Sequence, residues 1–218
     1  MTTDQKETVR ALLREAGTTY AGDAGIRLAD KPAPLWRLLV LGNLLAARIK
    51  ASIAVAAARE LFDAGGSTPD GMAELTWQQR VDALGRGHYK RYDEGTATRL
   101  GACADLVRER YGGDLRRLAE ESGHDREHLT ELLCEFPGIG PTAADIFCRE
   151  VQAVWPWLRP VLDRKALDAA RELGLPADPD KLAKLVPEDE LAAFAAGLVR
   201  VGLDRHLADE VRSAAART

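Results

Sequence analysis

Apolar positions recur along this chain at helical spacing and almost nowhere alternate in the manner of strands. Residues 5–16 set Val9, Leu12 and Leu13 on one side of an amphipathic helix, and residues 17–34, rich in Gly, Asp and Pro, read as a connection. Residues 35–49, LWRLLVLGNLLAARI, are nearly all apolar and predict a central, buried helix. Further helices are predicted over 53–62, 74–84, 96–111, 114–119 and 126–135, with a turn at 68–72 and a basic, glycine-rich loop at 85–90. After Phe136 comes the tight turn Pro137-Gly138-Ile139-Gly140-Pro141, then a helix over 142–155, a Pro-bounded loop, and helices over 163–173, 179–186, 188–201 and from 203.

Composition sharpens this picture. With 218 residues, 46% hydrophobic and 29% charged, the chain is long enough to bury a sizeable core as one large or two small lobes. Alanine and leucine dominate and β-branched runs are rare, so the fold class is all-α. No apolar run reaches membrane length and the N-terminus lacks a signal-peptide core. Cys103, Cys134 and Cys148 are scattered over helical segments, with neither metal spacing nor a disulfide framework, so a reducing cytoplasm is the expected location. A net charge of −4 weighs against nucleic acid, but its distribution matters more than its sum. Arg159, Arg164 and Lys165 flank Asp163, Arg48 lies near Lys50, and Arg86, Lys90 and Arg91 form a third cluster. Each of these is also what a solvated helix end looks like.

The turn at 137–141 carries chemistry. Gly138 and Gly140 tolerate positive φ and let another backbone approach. Pro141 suits the first position of a helix, and Ile139 is expected to anchor the turn by pointing inward. The N–H groups of Gly140, Thr142 and Ala143 would then point out of a helix N-terminus, an anion site suited to a phosphate diester. An ordinary αα-hairpin would use the same residues.

The segment Phe136-Pro137-Gly138-Ile139-Gly140-Pro141-Thr142-Ala143-Ala144, followed by Pro160-Val161-Leu162-Asp163, resembles the helix-hairpin-helix and aspartate of the DNA glycosylase superfamily that includes endonuclease III, adenine glycosylase and the alkylpurine glycosylases. The resemblance extends over 34–62 and, more loosely, to about residue 203. It implies a six-helix barrel over 35–155, with the hairpin motif at about 128–155, and a second helical lobe from 1–34 and 156–218. It also implies an active-site cleft between the lobes, action on double-stranded DNA that holds a damaged or mispaired base, and association with the nucleoid if the source is bacterial; a monomer is the default expectation.

In such a site Asp163 would be the catalytic carboxylate, stabilising the positive charge that develops on the sugar as the base leaves and orienting a water. Asp is also a common N-cap, and the two roles are compatible. Three departures from the family matter. Pro141 and Thr142 stand where the strand-nicking members carry a basic residue and the Schiff-base lysine, so the resemblance implies the monofunctional branch. No cysteine follows Cys148, so no iron–sulfur cluster, and no other metal or cofactor, is expected. The loop at 156–160 is longer than in endonuclease III. The family also inserts a wedge into the base stack after the buried helix, which here falls on Arg48, with His88 or Tyr89 as a second wedge. Arg164 and Lys165 are the expected phosphate contacts beside Asp163. The four tryptophans read as core more than as base-stacking platforms. The expected activity is hydrolysis of an N-glycosidic bond. The alternatives are a non-catalytic DNA-binding protein that kept the hairpin, or a bifunctional lyase using Lys165.

Overall fold

The computed structural model describes residues 2–217, and every regular element among them is helical. In chain order the α-helices are α1 (Thr3–Ala16), α2 (Tyr20–Asp23), α3 (Pro32–Leu45), α4 (Ala51–Leu61), α5 (Pro69–Glu74), α6 (Trp77–Arg86), α7 (Asp93–Tyr111), α8 (Arg116–Glu121) and α9 (Arg126–Cys134). Then follow α10 (Pro141–Val151), α11 (Arg164–Glu172), α12 (Pro179–Ala183), α13 (Leu191–Leu203) and α14 (Arg205–Ala215). None among the described residues is long and apolar enough to cross a membrane.

The chain forms two compact units, one of residues 21–147 and one that joins residues up to Tyr20 to those from Cys148 onward. The resemblance implies boundaries at 34/35 and 155/156; by compactness the chain divides at 20/21 and 147/148. α10 therefore begins in the first unit and ends in the second.

In the unit of residues 21–147, α3 is buried on nearly all sides, with Leu35, Trp36, Leu38 and Leu41 fully enclosed. Its single internal ring donor, Trp36 Nε1–H, is satisfied by the carbonyl of Gly66 at 3.1 Å. α3 ends at Leu45 rather than at 49, because Ala47 N–H turns back to the Leu44 carbonyl and the chain leaves helical geometry. The expected turn at 68–72 is the start of a helix: Thr68 caps the Gly71 N–H and Pro69 fills the first position. Thr76 and Gln79 form a reciprocal cap that starts α6. Trp77, just inside that cap, is 41% exposed and donates to Thr98 Oγ1, so it is a surface residue and not core.

In the other unit, α11 packs on α13 and α1 packs on α13 and α14. Val9, Leu12, Ala166, Ala170, Phe194, Leu198 and Val211 close one continuous apolar core. Burial of several such side chains, each contributing roughly 1.5–3 kcal/mol, drives this assembly.

Candidate active site

The hairpin is built on α9 and α10 and held from beneath by α3 and α7. Ile139 N–H donates to the Phe136 carbonyl, closing the turn, and Ile139 itself is buried as expected. The Pro137 carbonyl accepts two hydrogen bonds, from Asn43 Nδ2 of α3 at 3.1 Å and from Cys103 Sγ of α7 at 3.2 Å. Burial pushes the Cys103 thiol up to about 12, with Arg99 pulling it back slightly, so it stays a donor. Gly138 has φ +82, and a Cβ there would lie 2.6 Å from Arg99 Cδ. It is thus required twice, for conformation and for space. Gly140 has no such requirement: its φ is not positive and a Cβ would meet nothing within 4 Å. Thr142 is exposed on the first turn of α10, and Ala143 is buried.

Asp163, in the other unit, is the N-cap of α11, as the sequence allowed. Its Oδ1 accepts the Ala166 N–H at 2.9 Å. Its Oδ2 accepts Arg149 Nη1 of α10 at 2.5 Å. The side chain of Arg149 is 2% exposed and that of Asp163 9%. Glu150, fully buried, places a carboxylate oxygen 3.9 Å from Arg149 Nε. The guanidinium also lies over the ring of Tyr20, 5.7 Å from its centroid, with Arg200 stacked closer on the same ring at 4.2 Å. Buried Gln152 clamps the segment entering Asp163 at two points: Nε2 donates to the Val161 carbonyl at 2.8 Å and Oε1 accepts the Val161 N–H at 2.9 Å. Arg159 ties the same segment to the end of α10 through the carbonyls of Gln152 and Ala153.

The remaining predicted residues fall in different surroundings. Arg48 is exposed in the turn after α3. His88 is exposed with φ 64, just past the end of α6, which runs two residues into the expected loop. Tyr89 is a correction: it is 2% exposed, close to Thr96, and so belongs to the core rather than to a wedge. Arg164 and Lys165 are exposed on the first turn of α11, Arg164 standing 3.9 Å from Asp168.

Arg149, Glu150, Gln152, Asn43 and Arg99 went unassigned in the sequence. Two had a signal. Asn43 is a polar residue inside an otherwise apolar run, and Glu150 falls three and four residues after Phe147 and Ile146, on the apolar stripe of α10.

A thiolate-held iron–sulfur cluster takes four cysteines. This chain holds three, far apart in sequence, and among the described residues no cluster of His, Cys, Asp or Glu could hold a metal ion. The residues present do not fit such a cluster.

No model of a protein family and no curated protein matches the chain. Solved structures do. A trapped endonuclease III–DNA covalent intermediate, the estranged-adenine complex, matches at a TM-score of 0.52 and 16% identity, over 92% of this chain and 86% of that one. A non-covalent endonuclease III–DNA complex matches at 0.51 with the same identity and the same coverage. The chain has the all-α, helix-hairpin-helix fold of endonuclease III.

Proposed function

We propose that this chain, with the fold of endonuclease III, is a monofunctional base-excision DNA glycosylase that hydrolyses the N-glycosidic bond of a flipped, damaged or mispaired base. The observation that carries this is Asp163: a carboxylate fixed through both oxygens at the start of α11, in a chain whose hairpin turn is also fully formed. The hairpin's role is to grip backbone phosphate through the first-turn N–H groups of Gly140, Thr142 and Ala143, which have no intrahelical partner. Arg48 and His88 are the candidate wedges, and Arg164 and Lys165 the candidate phosphate contacts.

The chemistry follows from charge. As the C1′–N bond breaks, its electron pair leaves with the base, which takes up a proton, and the sugar becomes oxocarbenium-like. The carboxylate of Asp163 stabilises that charge and orients a water, which adds to C1′ and gives up its proton. The product is an abasic site. Thr142, exposed where a lyase would carry its lysine, cannot form an imine. No iron–sulfur cluster or metal enters this scheme, and a monomer suffices for it.

A second reading, a non-catalytic DNA-binding protein, is favoured by one observation: Arg149 already pairs with Asp163 and offsets its charge. A gel assay on single-lesion duplexes, each with and without hot alkali, separates the readings. Strand breaks only after alkali support the glycosylase. Breaks without alkali move the nucleophile to a lysine, with Lys165 the candidate. Duplex binding with no breaks on any lesion supports the binding protein.

A further inference from the structure

If Asp163 acts on a cationic sugar, an arginine 2.5 Å away is a problem, because it cancels the charge the reaction needs. The structure holds the answer to that problem in the neighbouring residue. Arg149 lies between two carboxylates, Asp163 at 2.5 Å and Glu150 at 3.9 Å. Its side chain is 2% exposed and that of Glu150 0%, so solvent screens neither. The guanidinium of Arg149 thus has a carboxyl group on either side. Asp163 has the most exposed side chain of the three and is the member that can meet a substrate.

We propose that Glu150 and Arg149 are positioning residues for Asp163: Arg149 fixes the plane of its carboxylate, and Glu150 balances Arg149 so that Asp163 keeps its negative charge toward the sugar. This rests on the glycosylase reading. The geometry suits the division of labour. Oδ1 is held by the Ala166 N–H and Oδ2 by Arg149, so the carboxylate cannot rotate without breaking one of them. The guanidinium itself is fixed against the ring of Tyr20. Glu150 neighbours Arg149 on the same turn of α10, so its balancing charge travels with the arginine. A buried arginine with one carboxylate partner would be a purely structural pair. A second buried carboxylate on its other edge, which adds desolvation cost, is what a structural pair alone does not need.

The test uses two duplexes, one with a neutral tetrahydrofuran and one with a cationic pyrrolidine in place of the target sugar. Wild type should prefer the cationic duplex, and Asp163→Asn should lose that preference. Glu150→Gln removes the balancing charge and should cut the preference about tenfold, the Coulomb effect of one charge at this range, with affinity for the neutral duplex unchanged. The double variant Arg149→Gln with Glu150→Gln removes the unbalanced positive charge as well, so the preference should rise above that of Glu150→Gln alone, short of wild type because Oδ2 has lost its donor. A structural role would give no such rescue. Because the double variant buries only neutral groups, it also covers the case in which Glu150→Gln alone does not fold. Wild-type preference in Glu150→Gln, or no rescue in the double, overturns the proposal while Asp163 keeps its role. No preference in wild type overturns both.

Discussion

Arg149 Nη1 and Asp163 Oδ2 stand 2.5 Å apart, with side chains 2% and 9% exposed, and this pair ties the last turn of α10 to the first turn of α11. A buried pair of this kind is weak as a source of stability but costly to break from one side, since the surviving charge has no water to return to.

Arg149→Met should therefore destabilise the protein by about 3 kcal/mol or more, because it takes the guanidinium away from Asp163 and from buried Glu150. Asp163→Asn should cost less, since Asn remains an N-cap for the Ala166 N–H. Urea midpoints at an unchanged denaturant slope measure the difference. Equal losses would mean that the charge on Asp163 matters to the fold as much as that on Arg149, and that the retained cap spares little.

The two hairpin glycines should behave oppositely. Gly138→Ala forces a side chain into left-handed backbone and against Arg99, and should lower stability by roughly 1–3 kcal/mol. Gly140→Ala meets open space at an ordinary φ and should leave the melting temperature within a degree or two. If Gly140 faces a phosphate backbone, the same variant should weaken duplex binding several-fold while the fold stays intact.

Gln152 should be irreplaceable by a residue with one kind of polar atom. Its amide both donates to and accepts from Val161, so Gln152→Glu loses the donor and Gln152→Leu both bonds. Leaving buried backbone groups unpaired costs about 1–3 kcal/mol each. Amide exchange at Val161 checks this directly: it should accelerate in Gln152→Leu, which removes the acceptor of that N–H, and much less in Gln152→Glu, which keeps it.

Cys103 gives an alkaline signature. Its folded-state value, about 12, lies above the ordinary thiol value of 9.0, so the folded state holds the proton longer than the unfolded chain. That contribution is fully present below the ordinary value and is lost as pH rises from there toward 12. Cys103→Ala should be less stable than wild type at neutral pH, and the gap should narrow above pH 9. A gap that stays constant with pH would mean the thiol is not protected. Exposed Cys134 should react with a thiol reagent in the native protein, while Cys103 and Cys148 react only after unfolding.

What the sequence by itself determined here is short-range. Helical period, the cap at Asp163, the turn at Gly138 and the inward anchor Ile139 all depend on residues within about four positions of one another, and all could be read directly. The absent lysine at Thr142 was legible for the same reason. What only the tertiary structure decided involves partners far apart in the chain. Tyr89 lies in a glycine-rich stretch yet is buried, and Trp77 lies on a helix yet is exposed. Asn43 reaches Pro137 across 94 positions, and Arg149 reaches Asp163 across 14 positions and a loop. A buried polar side chain must find its partner wherever the fold delivers one, and no local spacing records where that is.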